Sequence, residues 1–371
     1  MTIPFLNPTA QYQSIKQRVD RALVGVLNSG NYMHNLSVKK FEEACAQYVG
    51  ARFCVGMNSG YDAMYIGLRA LGLDRGDEIA VAAHASVSIP NAIVANGLQP
   101  VFIDIDAHNY RLDLADLAQK ISPKTKAVIV PHHFGYIEHI DELLDVLHEA
   151  EHKIELIEEL SMAFGAEYKN RRVGTFGLFA VCSFYPGSVL SAYGDAGALI
   201  TRSAKIAEMA RLLSESGQDG KYRNVIAGAH SQLDEMQAAV LEIKLDYLES
   251  WRAARAEIAD YYHQLFFEKL PFVVTLRSEL HSCHTYAQYV VAVPERDRLC
   301  EYLKRHGIHV KKYAPVPLHL QRAFMHLGYI EGDLPHVEEF SQKSLLLPIY
   351  PELSAMQCRY IVNTISDFYN S

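Results

Sequence analysis

A short turn with the sequence Asn-Ser-Gly-Tyr, residues 58–61, could bind an anion. It stands directly before a predicted helix in which Met64 and Leu68 share one apolar side. Backbone N–H groups at a glycine-bearing helix N-terminus point towards a ligand and favour negative charge. An ordinary capped helix shows the same short pattern, so the turn indicates a phosphate site only together with other evidence.

Histidine is abundant in this chain, and His132 and His133 are adjacent. An imidazole can take up or release a proton near neutral pH, which makes both residues candidates for acid–base catalysis. The chain contains 17 histidines, however, so several must fall in loops by chance. An adjacent pair also lacks the i, i+4 spacing with which two histidines on one helix bind a metal, and we expect no metal site.

Strands and helices alternate through the first half of the chain. Apolar runs predict strands at residues 79–83, 100–104, 127–130 and 154–157, with helical patterns between them. Such alternation is typical of an α/β domain with a mainly parallel sheet. Ligands usually bind in the loops that leave the carboxyl ends of these strands, so the functional residues are expected there.

The pattern changes after residue 271. A long helix is predicted to continue past Trp251 to Phe266 and to join two lobes, after which residues 286–293 and 310–313 read as strands. We therefore predict a large domain over residues 1–250 and a small C-terminal domain over residues 251–371.

Composition restricts the class of partner. The chain has 371 residues, 49% of them hydrophobic, with a net charge of −8 and a pI near 6.1. No cluster of Lys and Arg stands out, which argues against nucleic-acid and anionic-membrane partners. The six cysteines form no CxxC pair, and no apolar run approaches membrane-spanning length. We expect a cytoplasmic protein.

Residues 183–197 read Ser-Phe-Tyr-Pro-Gly-Ser-Val-Leu-Ser-Ala-Tyr-Gly-Asp-Ala-Gly. This segment resembles the active-site segment of the DegT/DnrJ/EryC1/StrS sugar aminotransferases, in which a lysine holds pyridoxal phosphate. The position of that lysine is Ser188 here. A hydroxyl cannot condense with an aldehyde to form an imine, so covalent attachment at this position is excluded.

The resemblance covers about residues 4–368 and implies the fold. That fold is the fold type I of pyridoxal-phosphate transferases, an α/β architecture with a large domain built on a mainly parallel seven-stranded sheet and a smaller C-terminal α/β domain. The resemblance also implies a homodimer with a shared active-site cleft, and a nucleotide-linked sugar as the ligand.

Several cofactor contacts of the family have changed. Ser86 stands at the place of the aromatic residue that stacks on the pyridine ring, and Met162 replaces a glutamine that reaches the ring hydroxyl. Glu159 replaces the aspartate that pairs with the ring nitrogen, and His230 replaces the asparagine that crosses to the partner's phosphate. From these changes we expect no cofactor, with pyridoxal or pyridoxamine phosphate possible only as a non-covalent ligand.

The favoured hypothesis is a cofactor-independent isomerisation or epimerisation of a nucleotide-linked keto sugar in lipopolysaccharide, O-antigen or antibiotic-sugar biosynthesis. Such a reaction needs a base near an acidic C–H bond and an acid near the carbonyl oxygen. The candidate catalytic residues are His84, His132, His133, Glu159 and Tyr185. The candidate contacts for phosphate or sugar nucleotide are Asn58, Ser59, Gly60, Ser183, His230 and His319.

Two alternatives stay open at this point. The chain could be a non-catalytic subunit or sugar-nucleotide binder that uses the family's dimer without its chemistry. It could also be a sugar dehydratase or aminotransferase that depends on pyridoxal or pyridoxamine phosphate held without a covalent bond.

Overall fold

The computed structural model describes residues 2–33, 35–277 and 281–371. The helices are α1 (Pro8–Ser29), α2 (Leu36–Val49), α3 (Gly60–Ala70), α4 (Ser88–Ala95), α5 (Leu114–Lys120), α6 (Ile140–Glu149), α7 (Ala204–Ser214), α8 (Glu235–Leu245), α9 (Leu248–Lys269), α10 (Arg296–Arg305), α11 (Pro335–Lys343) and α12 (Ala355–Asn370). The strands are β1 (Phe53–Met57), β2 (Glu78–Ala82), β3 (Gln99–Ile103), β4 (Thr125–Pro131), β5 (Glu155–Glu159), β6 (Glu167–Tyr168), β7 (Arg171–Arg172), β8 (Phe179–Ser183), β9 (Gly197–Thr201), β10 (Val274–Thr275), β11 (Ser282–Cys283), β12 (Tyr289–Ala292), β13 (Lys311–Lys312) and β14 (Ser344–Leu347).

A seven-stranded sheet with the order β1-β9-β8-β5-β4-β2-β3 forms the centre of the molecule. The strands from β8 to β3 run parallel, whereas β9 is antiparallel to both of its neighbours. Both faces of the sheet are covered, as a parallel sheet requires. Successive residues of a strand pack into different apolar clusters, one on each face. Val181 and Leu199 belong to one apolar cluster, and Cys182 and Ile200 belong to the other. The predicted α/β fold is confirmed.

A second sheet, with the order β10-β12-β14-β13, is antiparallel and lies wholly in the C-terminal part of the chain. The predicted domain boundary at residue 250 falls inside α9 and stays a prediction. A small third sheet joins β11 to β6 and β7.

Two of the predicted elements are wrong in extent. The helix predicted to run past Trp251 is interrupted between α8 and α9, because the N–H groups of Asp246 and Tyr247 both donate to the carbonyl of Lys244 instead of continuing the α-helical ladder. The strand predicted over residues 286–293 is shortened to β12. Tyr286 has a φ of 47°, which is incompatible with extended backbone. None of the described helices is both long and apolar enough to cross a membrane.

Candidate active site

A cavity of about 490 Å³ lies along the carboxyl ends of the central strands. Its walls come from the segments that follow β1, β2, β4, β5 and β8, and the second sheet closes it from the other side. Parallel strands bring residues that are distant in sequence to one edge of the sheet, which is the usual place for a ligand. The residues that line it include Ser59, Gly60, Ser86, His133, Glu159, Ser161, Met162, Ser183, Tyr185, Ser188, Gln288, Lys311 and Tyr313.

The N-terminus of α3 forms one wall of the cavity. Ser59 caps this helix, with its Oγ accepting the N–H of Asp62 at 3.1 Å. The N–H groups of Gly60 and Tyr61 come before the first intrahelical bond and are available to a ligand. A Cβ atom on Gly60 would lie 2.5 Å from the Cβ of Ser183, so only glycine lets the helix approach the end of β8 so closely. This geometry suits a phosphate group.

Glu159 ends β5 and lines the same cavity as this helix terminus. Its Oε1 accepts hydrogen bonds from the backbone N–H of Ser161, at 2.9 Å, and from the Ser161 hydroxyl. Burial raises the pKa of Glu159, and the hydrogen bonds from Ser161 oppose that rise only in part. The residue can therefore bind a protonated ring nitrogen or share a proton with a ligand.

The segment from Ser183 to Ser188 bends around the cavity. The Ser183 Oγ accepts the N–H of Tyr185 at 3.3 Å, and the N–H of Ser188 donates to the carbonyl of Tyr185 at 3.0 Å. Tyr185 is 60% exposed. Ser188 lines the cavity and brings only a hydroxyl to it.

His133 is buried, and its hydrogen-bond network fixes its tautomer. The Tyr313 hydroxyl donates to the carbonyl of His84 at 2.7 Å and lies 3.3 Å from the Nδ1 of His133. Because that hydroxyl has only one proton, Nδ1 must be the donor, which leaves the lone pair on Nε2. The Nε2 has no hydrogen-bond partner in the described part of the chain.

Burial lowers the pKa of His133 well below its usual value, and the nearby His84 and His132 lower it further. A histidine in this state is neutral at pH 7 and is a weak base. Its unpaired nitrogen is better suited to accept a hydrogen bond from a ligand than to remove a proton from carbon.

His132 was predicted to be catalytic but is held away from the cavity. The N–H of Glu138 donates to its Nδ1 at 3.3 Å, so Nε2 carries the proton and donates to Glu158 Oε2, also at 3.3 Å. The Glu158 carboxylate is fully buried and accepts three backbone N–H groups, those of Gly174, Phe176 and Gly177. Both ring nitrogens of His132 are occupied in a structural network.

Other predicted residues also lie outside the cavity wall. His84 is buried, and its Nε2 donates to the carbonyl of Tyr110 at 2.9 Å. His319 is buried beside Glu338, with 3.1 Å between Nε2 and Oε1. His230 and Asn58 are exposed in the described chain and do not line the cavity.

Sequence reasoning missed Tyr313, Lys311 and Ser161. Tyr313 and Lys311 come from the second sheet, and no local pattern shows that they meet residues near the end of β4 and β5. Ser161 could have been found, since a hydroxyl two residues after a carboxylate at a strand end is well placed to bind it.

Residues 13–366 match the DegT/DnrJ/EryC1/StrS aminotransferase family. This chain belongs to that family. A relative called a pleiotropic regulatory protein, from Geobacillus stearothermophilus, is 36% identical over 100% of the chain and 99% of its own length. The dTDP-3-amino-3,4,6-trideoxy-alpha-D-glucose transaminase of Streptomyces venezuelae is 33% identical over 99% of the chain and 96% of its own length.

A solved structure gives the same relationship. Streptomyces venezuelae DesV, in complex with a ketimine intermediate, superposes with a TM-score of 0.95 at 33% identity, covering 100% of this chain and 99% of that one. The predicted fold type I is therefore confirmed, and membership places the chain in an enzyme family.

These findings overturn two predictions. Cofactor-independent isomerisation or epimerisation is wrong as the favoured function, because the family and the relative from S. venezuelae are named for amino transfer. The expectation of no cofactor is wrong as well. The DesV structure holds a ketimine, the kind of adduct that a pyridoxal cofactor forms with an amine or a ketone.

The cavity fits a pyridoxal cofactor in part. The Gly60 and Tyr61 N–H groups suit its phosphate, and the Glu159 carboxyl suits its ring nitrogen. The Ser188 hydroxyl does not fit covalent attachment, and Ser86 offers no ring for stacking. The residues present thus suit a bound cofactor and do not suit one joined to residue 188.

Proposed function

We propose that this protein is an aminotransferase-type enzyme for a nucleotide-linked sugar, and that it holds its pyridoxal cofactor without a covalent bond. The observation that carries the proposal is the cavity itself: it keeps an anion site at α3 and a carboxyl at Glu159, while Ser188 stands where an amine would be required. The family and the dTDP-sugar transaminase of S. venezuelae support the reaction class.

Each cavity residue has a distinct part in the proposal. The N–H groups of Gly60 and Tyr61 bind the phosphate, and Glu159 keeps a proton on the ring nitrogen. His133 accepts a hydrogen bond at Nε2 from a hydroxyl or amino group of the ligand, with Tyr313 fixing its tautomer. When bound, the amine form of the cofactor supplies the amino group for a keto sugar.

The proposal includes the predicted homodimer with a shared cleft, which light scattering of the purified protein tests. Placement in lipopolysaccharide, O-antigen or antibiotic-sugar biosynthesis stays a prediction.

The decisive experiment is an absorbance titration with pyridoxal phosphate and with pyridoxamine phosphate, followed by dialysis. We expect a shifted spectrum that dialysis removes slowly, and no adduct after borohydride reduction in the mass spectrum of the intact protein. The Ser188→Lys variant should form a borohydride-stable adduct at residue 188. Glu159→Gln should weaken binding about 10- to 100-fold, because it removes a charge-assisted hydrogen bond.

Glu155→Gln is the matched control, because Glu155 lies on the same strand with its side chain partly exposed and paired with Lys153. It should bind like the native protein. A spectrum identical to that of the free cofactor in both the native protein and Ser188→Lys would reject the proposal. A native adduct at Lys311 would reject its non-covalent part, since Lys311 also lines the cavity.

A further inference from the structure

A second, smaller chamber adjoins the main cavity at Ser188. Its volume is about 50 Å³, and its walls include Gly187, Ser188, Ser191, Arg255 and Glu352. Gly187 and Ser188 also line the main cavity. The two spaces are therefore adjacent at the residue where the resemblance places the family's lysine, and the side chain between them there is small.

Arg255 is a buried cation in the wall of this chamber. It lies on α9, is 6% exposed, and its Nε has no hydrogen-bond partner. Its Nη1 donates to the carbonyl of Trp251 over a long 3.5 Å. No carboxylate forms an ion pair with it in residues 2–33, 35–277 and 281–371. A buried charge without a counter-ion costs free energy, which a bound anion would offset.

The charge on Arg255 persists at neutral pH. Burial lowers its pKa to about 10, and Glu352 opposes that change. Glu352 is the acidic group in the chamber wall, but its side chain is exposed, so solvent and salt screen its repulsion of an anion.

Lys244 is a second buried basic group beside the chamber. It is 1% exposed, and its Nζ donates to the Ser191 carbonyl at 2.8 Å and to the Ser191 hydroxyl at 3.3 Å. Its Nζ also lies 4.2 Å from the centre of the Tyr193 ring. The partners that the structure gives it are therefore neutral, and because burial lowers its pKa to about 7, Lys244 carries only part of a positive charge at neutral pH.

We propose that this chamber binds a carboxylate group, with Arg255 as its principal ligand. The planar fork of an arginine matches a carboxylate with two parallel hydrogen bonds. The chamber is large enough for a carboxylate or a few waters and too small for a sugar or a nucleobase. The remainder of the ligand would extend past Ser188 into the main cavity.

The ligand class follows from the proposed function, on which this part of the inference rests. An aminotransferase needs an amino donor, and every α-amino acid carries a carboxylate on the carbon that bears its amine. We infer that the chamber is the carboxylate subsite for an amino-acid donor, whose amine then lies in the main cavity.

The test uses glutarate, a dicarboxylate without an amine, titrated calorimetrically into the native full-length protein with no cofactor added. We expect saturable binding that is about 10- to 100-fold weaker in Arg255→Met, because a charge-assisted bidentate contact is lost. Arg255→Lys keeps the positive charge and should retain part of the affinity. Arg305→Met, at an exposed site on α10, is the control and should bind glutarate like the native protein.

Equal glutarate binding by the native protein and Arg255→Met would overturn the proposal, provided that circular dichroism shows both folded. If Arg255→Met does not fold, two other results together would overturn the proposal. Arg255→Lys would bind glutarate with the native affinity, and the neutral diamide of glutarate would bind as tightly as glutarate. Inorganic phosphate that binds through Arg255 while glutarate does not would reject a carboxylate as the ligand.

The failure of this proposal can be told apart from failure of the proposed function. The glutarate titration contains no cofactor, so a protein that binds no pyridoxal phosphate can still show an Arg255-dependent carboxylate site. Conversely, cofactor binding without an effect of Arg255 on glutarate would remove only the subsite.

Discussion

Replacing Glu158 by glutamine should strongly destabilise the protein without changing any residue that lines the cavity. The two carboxylate oxygens of Glu158 accept hydrogen bonds from four donors. Oε1 accepts the N–H groups of Phe176 and Gly177, both at 2.8 Å, and Oε2 accepts Gly174 N–H at 2.6 Å and His132 Nε2 at 3.3 Å. A glutamine places an NH₂ group against one of these pairs in either orientation.

The expected loss of stability follows from this geometry. Breaking a fully buried charged network by removing one partner costs about 3–5 kcal/mol. With an unfolding entropy of about 2.1 cal/mol/K per residue, a chain of 371 residues has about 0.8 kcal/mol/K in total. Dividing the loss of free energy by the unfolding entropy gives an expected fall in Tm of about 4–6 °C, to be measured by differential scanning calorimetry.

The pH dependence supplies a second check on Glu158. Burial would raise its pKa, but the hydrogen bond from His132 and the backbone N–H groups lower it below the usual 4.5. The native protein therefore holds this stabilisation above about pH 4.5 and loses it as the pH falls through the lower folded-state pKa. The difference between the two proteins should shrink in acid.

Glu155→Gln on the same strand should change Tm by no more than about 1 °C, because its surface ion pair is worth little. A Glu158→Gln protein with the native Tm, or with the same loss at pH 4 as at pH 7, would refute the reasoning. It would also return His132 to the candidates for catalysis.

Two further predictions concern Tyr313 and Lys244. Tyr313→Phe removes the hydroxyl that fixes the Nδ1–H form of His133, so nitrogen NMR should show mixed His133 tautomers. Urea unfolding should show that the free energy of unfolding falls by about 1–3 kcal/mol. A single unchanged tautomer would contradict the assignment. Burial lowers the pKa of Lys244 to about 7 from 10.5, so the unfolded chain binds more protons at this residue between these values and the contribution of Lys244 to stability should rise with pH across that window. Lys244→Met lacks this contribution, so the difference in stability between the two proteins, measured by urea unfolding, should change across the same window. Parallel pH profiles of the two proteins would show that Lys244 is not desolvated.

Much of the fold could be predicted from the chain alone. Apolar runs such as Ala127–Val130 are long enough to span a buried parallel strand, and the alternation with helical patterns leaves few topologies. The break between α8 and α9 could not be seen, because Leu233, Val240 and Trp251 keep apolar faces on both sides of it. Periodicity reports burial, and a one-turn interruption of backbone hydrogen bonds leaves burial unchanged.

The candidate site was predictable where function depends on local backbone. Gly60 at a helix N-terminus and Glu159 at a strand end follow from position within an element. His132 was misassigned because the sequence does not show that the Glu158 carboxylate is buried and accepts a hydrogen bond from the His132 ring. Alternate residues of a strand point to opposite faces, so Glu158 and Glu159 have opposite environments although they are adjacent.

The sequence by itself determined that residue 188 brings a hydroxyl and no amine, and that membership of an aminotransferase family must be reconciled with this. Tertiary structure alone decided which groups surround that hydroxyl. Tyr313 meets His133 across 180 residues, and Arg255 reaches the chamber beside Ser188 from a helix in the following part of the chain. Such contacts arise from packing of whole elements around a core, and the burial that they produce sets the charge and hydrogen bonding of each group.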